Sequence, residues 1–65
     1  MISYEEVRDL LLEDIEEKGH TSALIRPSSV LSGHIQRMVS EELVLAIRIP
    51  ELDERSLEYW RIIKK

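Results

Sequence analysis

The side chains that could carry out chemistry are few in this 65-residue chain, and they lie far apart. His20 and His34 are the only imidazoles, and the fourteen positions between them do not match the short spacings of metal sites. Cysteine is absent, so the chain has neither a thiolate nucleophile nor a disulfide. It also has no glycine-rich phosphate loop and no His-Glu-x-x-His sequence. The sequence therefore predicts no enzymatic activity, no cofactor and no bound metal.

One group of residues has a chemical rationale as an anion-binding site. Ser28 and Ser29 follow Pro27 at the predicted start of a helix, where free backbone N–H groups attract anions. Arg26 precedes them, and Arg48 is predicted to lie near the same edge of the sheet. Because serines at a helix start often serve only as caps, an anion-binding or enzymatic role for Arg26, Ser28, Ser29 and Arg48 is the weakest of three functional interpretations.

The composition limits the class of protein. With 9 Lys and Arg against 13 Asp and Glu, the net charge of -4 argues against a protein that works mainly by neutralising phosphates. A hydrophobic content of 43% is typical of a folded domain. No apolar stretch approaches the roughly 18 residues needed to span a bilayer, and the N-terminus lacks the pattern of a signal peptide. We expect one small cytoplasmic domain over residues 1–65.

The first element is predicted from its two ends. Ser3 and Glu6 have the spacing of a capping box at a helix start. Lys18 followed by Gly19 is typical of a helix end. Between them, apolar residues recur at steps of three and four. The sequence therefore predicts a helix over residues 3–18.

Three shorter elements are predicted next. The apolar segment 22–26 is stopped by Pro27, which favours extended backbone before it. Apolar residues at helical spacing predict a helix over residues 29–39. The run 43–49 fits a strand covered on both faces better than a helix, because Pro50 ends it and apolar residues lie on both of its faces. The serine and two acids before that run nevertheless resemble a helix start.

The last segment, residues 53–65, fits two structures. Acids at its beginning and cations at its end favour a helix, with Leu57, Trp60 and Ile63 along one side. Residues 59–63 suit a strand almost equally well by propensity. We predict the helix. The predicted fold class is then α/β, here of the α+β type. It is one small domain with the order helix, strand, helix, strand, helix.

This arrangement predicts association with another chain. Two short strands joined by a helix would be parallel and would leave both sheet edges open. A chain this small buries only roughly 60% of its unfolded surface, so we expect a second copy to complete the sheet across a two-fold axis. The predicted contact residues are the apolar ones that the chain cannot bury alone, with an aromatic anchor: Leu43, Leu45, Ile47, Ile49 and Trp60. The leading functional interpretation is a small regulatory or protein–protein interaction module, homodimeric or bound to a larger protein.

The segment 47–53, with the sequence IRIPELD, resembles the strand-to-helix junction of ribbon-helix-helix repressors, and the similarity extends over about residues 44–63. In that family the strand pairs with its twin in a dimer and lies in the DNA major groove, and two helices follow it. The resemblance implies a second interpretation, a DNA-binding transcriptional regulator in which Arg48 faces the groove. From the net charge we expect only weak, non-specific binding to DNA.

Overall fold

The computed structural model describes residues 2–49 and 55–65. Along the chain its elements are α1 (Tyr4–Lys18), β1 (His20–Ile25), α2 (Val30–Ser40), β2 (Val44–Ile49) and β3 (Glu58–Lys64). Within the described residues the three strands form one antiparallel sheet in the order β1-β3-β2. The predicted α+β class of a small domain is confirmed.

Helix α1 is held at both ends as the sequence predicts. The Ser3 hydroxyl accepts a hydrogen bond from the Glu6 backbone N–H at 3.2 Å. At the other end Gly19 adopts the left-handed conformation, with φ of 85°, and its N–H donates to the Ile15 carbonyl at 2.6 Å. The predicted helix is confirmed, with Ser3 as its cap rather than its first turn.

The two glycines give a matched pair of opposite stability predictions. Gly19→Ala is expected to destabilise the fold by about 1–2 kcal/mol, because a side chain is strained in the left-handed region. Gly33→Ala is expected to stabilise it by up to about 1 kcal/mol, because Gly33 lies inside α2 and an added Cβ would meet nothing within 4 Å. Urea unfolding of both variants measures the difference. Equal shifts of the same sign would contradict this account of the two positions.

The middle of the chain also follows the prediction closely. Helix α2 is capped by Ser29, whose hydroxyl accepts from the Ser32 N–H at 3.2 Å, one residue from the predicted start. Strand β1 begins two residues earlier than predicted and β2 one residue later. Both strands are antiparallel to β3, so they share a direction. They are not neighbours, however, because β3 lies between them.

The predicted third helix is wrong, since residues 58–64 form the central strand β3. Its side chains alternate, with Trp60 and Ile62 buried and Tyr59 and Arg61 exposed. The physical reason is tertiary: this segment closes the ladders of both β1 and β2, which outweighs the weak preference that end charges give to a helix. Residues 53 and 54 of the predicted helix, and Pro50, lie outside the described residues.

Both helices cover one face of the sheet, here called the inner face, and the core lies between these two layers. Trp60 and Met38 are fully buried at its centre. The other buried members of the core cluster come from all five elements: Tyr4, Ile15, Ile25, Ile35, Val44 and Ile62. Within the described residues, no helix is both long and apolar enough to cross a membrane.

Tyr4 fixes the start of α1 against the end of α2. Its hydroxyl donates a hydrogen bond to the Glu41 carboxylate, which raises the pKa of Tyr4. The Arg37 guanidinium carbon lies 3.9 Å from the centre of the Tyr4 ring, in cation–π range. These contacts hold the two helices together in the layer that covers the inner face.

Candidate interaction surface

The face of the sheet opposite the helices, here called the outer face, is rich in exposed apolar side chains. Strand alternation and the register place nine residues on it in three rows: Leu24, Tyr59 and Ile49; Ser22, Arg61 and Ile47; His20, Ile63 and Leu45. Five large side chains among them are 40–51% exposed: Leu24, Leu45, Ile47, Ile49 and Tyr59. A contiguous apolar surface of this kind commonly marks an interaction site.

The charge of the outer face differs from that of the whole chain. The protein carries a net charge of -4, yet none of the nine residues on this face is acidic. Arg61, in the middle row of the central strand, is the permanent cation there, and His20 lies at a corner. The acids of α1 are on the helical layer instead. The outer face is therefore apolar with one central positive charge.

The structure separates the five predicted contact residues into two groups. Leu45, Ile47 and Ile49 lie together on the outer face. Leu43 is half-buried and packs against the core, and Trp60 is 0% exposed on the inner face. Trp60 is thus not presented to a partner as an anchor.

Two outer-face residues were missed by the sequence interpretation. Leu24 and Tyr59 extend the apolar surface onto β1 and β3, in one row with Ile49. The alternation of residues 58–63 was the signal that could have identified Tyr59, since a strand there places it opposite to Trp60. Leu24 could have been found in the same way once β1 is taken as a strand with one covered face.

Arg48, Glu58 and Trp60 form a polar cluster on the inner side of β2 and β3. Arg48 donates to Oε1 of Glu58 from Nε at 3.0 Å and from Nη2 at 2.8 Å. The indole N–H of Trp60 donates to the same oxygen at 2.9 Å, and the Arg48 guanidinium carbon lies 4.6 Å from the Trp60 ring centre. Hydrogen bonding from Arg48, assisted by Trp60, lowers the pKa of Glu58 despite the opposing effect of burial. The cluster therefore satisfies a buried carboxylate rather than offering it to a ligand.

This lowered pKa predicts a loss of stability in acid. A carboxylate whose folded pKa lies below its unfolded pKa stabilises the fold above the unfolded value, and the contribution disappears as the pH falls through the folded value. Glu58→Gln is therefore expected to lower stability at neutral pH and to reduce the loss on acidification. Urea midpoints at about pH 7 and about pH 3 measure both effects. The control is Glu13→Gln, an exposed acid of α1; an unchanged pH dependence in Glu58→Gln would contradict the assignment.

The four residues of the predicted anion site are not brought together. The Ser29 hydroxyl is used as a helix cap and donates to the Arg26 carbonyl at 2.7 Å. Ser28 and Arg26 are exposed at the end of β1. Arg48 lies in β2, with β3 between it and Arg26, and it is bonded to Glu58. In place of the predicted anion site, the structure has a helix capped by Ser29 and an ion pair between Arg48 and Glu58.

A groove of about 340 Å³ runs along β2 on the inner side. Its α2 wall consists of Gln36, Val39 and Ser40, and its sheet wall consists of Ala46, Arg48 and Trp60. The Val39 side chain is 37% exposed there. The groove therefore lies between α2 and the inner side of β2, on the opposite side of the strand from the outer face.

Residues 2–49 and 55–65 contain no group of three or more His, Asp or Glu side chains placed to hold a metal ion. After β2, residues 58–64 form a strand rather than the first helix that the repressor resemblance implies. Comparison with protein-family models, with curated proteins and with solved structures finds no match.

Proposed function

We propose that this chain is a small protein–protein interaction module that acts as a homodimer. The observation that carries the proposal is the β2 border of the outer face, where Leu45, Ile47 and Ile49 remain 42–50% exposed while both helices cover the other side of the sheet. Each Å² of apolar surface that is removed from water contributes about 25 cal/mol of favourable transfer free energy. Covering this face or its β2 border is therefore a strong source of binding free energy.

The size of the chain favours a second copy as the partner. Nine apolar residues among the described ones are buried, in a chain without disulfides. A core of this extent rarely supplies more than about 3–5 kcal/mol in so small a domain. Self-association adds stability by mass action, and the partner is always available at the concentration of the protein itself.

Sedimentation equilibrium and thermal unfolding test the proposal together. Over about 1–100 µM we expect a dimer mass and a melting temperature that rises with concentration, because association and folding are coupled. A monomer mass with a constant melting temperature would contradict the homodimer, whether or not the chain then binds a different protein.

A further inference from the structure

Strand β2 is an open edge with an unusual side-chain pattern. It pairs with β3 along one side, and among the described residues nothing pairs with its other side. Its three outer-face residues are all apolar: Leu45, Ile47 and Ile49. An edge strand offers a row of unpaired N–H and C=O groups, and an apolar edge is a template for pairing with another chain.

The other edge of the sheet is less suited to pairing. Strand β1 has His20 and Ser22 on its outer face, with Leu24 as its one large apolar residue there. Neither edge carries an unpaired charge of the kind that opposes pairing, because β1 contains no Asp, Glu, Lys or Arg and Arg48 of β2 is paired with Glu58 at 2.8 Å. The more apolar outer-face row of β2 therefore selects it as the pairing edge.

We propose that two copies of this chain join β2 to β2 in antiparallel orientation about a two-fold axis at Ile47, which makes one continuous six-stranded sheet. The inference rests on the proposed homodimer and adds its interface and register. In this register Ile47 meets its own counterpart, and Leu45 lies opposite the partner subunit's Ile49.

The register follows from two conditions. Residues directly opposite each other in an antiparallel pair lie on the same face of the sheet. The two-fold axis must therefore pass through a residue, because an axis between two residues would place outer-face residues of one copy opposite inner-face residues of the other. Only an axis at Ile47 pairs all three outer residues of β2 with one another. An axis at Leu45 sets Ile49 opposite residue 41, which lies outside the strand.

Charge argues against the alternative of stacking two outer faces. Arg61 is in the middle row of the central strand, so face-to-face packing on a two-fold axis would bring two guanidinium groups near each other in an apolar interface. In the edge-paired sheet the two Arg61 residues are three strand spacings apart, or about 14 Å. That distance exceeds the screening length of about 8 Å at physiological salt.

The groove along β2 borders the proposed interface on the inner side. In the proposed register the partner subunit's Arg48 lies opposite Ala46, which lines the groove beside Val39. The partner strand therefore runs beside the groove, and the same arrangement is repeated across the axis.

Cysteine cross-linking tests the register, and the chain has no native cysteine to interfere. Ile47→Cys is expected to form a covalent dimer on mild oxidation or with a short bis-maleimide, because facing Cβ atoms in a strand pair lie about 5 Å apart. A mixture of Leu45→Cys and Ile49→Cys is expected to cross-link as a heterodimer, while neither cross-links alone. Ser22→Cys, at the middle outer-face position of β1 that corresponds to Ile47 on β2, is the matched control and is expected to remain uncross-linked.

The outcomes separate this inference from the proposed function. A dimer mass without cross-linking at position 47 or in the 45/49 mixture would overturn the β2 register and leave the homodimer in place. Cross-linking of Ser22→Cys with none on β2 would move the interface to the other edge and overturn the inference. A monomer mass for the unmodified chain would overturn the homodimer itself. The mixed pair keeps the test decisive if Ile47→Cys fails to fold.

Discussion

Ile47→Asp is expected to produce a folded monomer. The Ile47 side chain is 50% exposed in the single chain, so the fold does not depend on its burial. On the proposed axis the substitution places two carboxylates opposite each other and removes two apolar contacts at once. We expect the dimer dissociation constant to rise by roughly 100-fold or more, equivalent to about 2.8 kcal/mol. Sedimentation equilibrium measures the constant, and circular dichroism verifies the fold.

Two controls make the result specific to the surface. Leu10→Asp changes a residue of α1 that is 59% exposed, and it is expected to leave association unchanged. Ile47→Thr keeps the β-branched side chain that strands favour and is expected to weaken the dimer less than Ile47→Asp. An Ile47→Asp protein that still dimerises with unchanged affinity would show that β2 is not in the contact.

Trp60→Ala is expected to prevent folding. The Trp60 side chain is fully buried at the centre of the sheet, and its indole N–H satisfies the buried Glu58 carboxylate at 2.9 Å. Truncating a buried aromatic residue costs about 3–5 kcal/mol, which is the whole stability expected of a domain this small. Far-ultraviolet circular dichroism at 25 °C is the measurement, and we expect the helix and sheet signals to be lost.

Neighbouring substitutions show whether the effect belongs to the core. Tyr59→Ala removes an aromatic residue from the exposed outer face and is expected to leave the fold intact. Trp60→Phe retains much of the volume but loses the hydrogen bond to Glu58, so it is expected to fold with stability lowered by about 1–3 kcal/mol. A cooperatively folded Trp60→Ala protein of undiminished stability would contradict the description of the core.

Local chemistry made the first helix predictable. The boundaries of α1 are set by Ser3 and Gly19, whose hydrogen bonds involve residues only three or four positions away. Ser29 acts in the same way for α2. Strand β2 was predictable because an apolar run with β-branched residues suits extended backbone, although only one of its faces is covered by helices.

The central strand was not predictable to the same degree, because its stabilisation is non-local. Residues 58–64 carry both a helix-like charge gradient and strand-like propensity. What decides between them is the pairing of β3 with β1 and β2 on its two sides. Glu58 also obscured the strand pattern of this segment, because a carboxylate at an inner-face position interrupts the alternation of apolar residues. The structure accounts for its burial by the pairing with Arg48.

The candidate interaction surface was predictable only in part, because non-local strand pairing also determines which residues form it. Leu45, Ile47 and Ile49 were identifiable as contact residues from their own strand, whereas Leu24 and Tyr59 join them only through the order of the sheet. Trp60 appeared to be an anchor because large aromatic residues dominate interfaces. Its complete burial in the core cluster gives it a structural role instead.

Amide hydrogen exchange at two protein concentrations tests the central claim, the burial of β2 by a second copy, without any substitution. The outward-pointing amides of an unpaired edge strand exchange rapidly, and pairing protects them. We predict that protection of the outward-pointing amides of Val44–Ile49 rises with protein concentration, while that of the outward-pointing amides of the other edge strand, His20–Ile25, does not change. Exchange of β2 that is independent of concentration, or protection that rises on β1 instead, would contradict it.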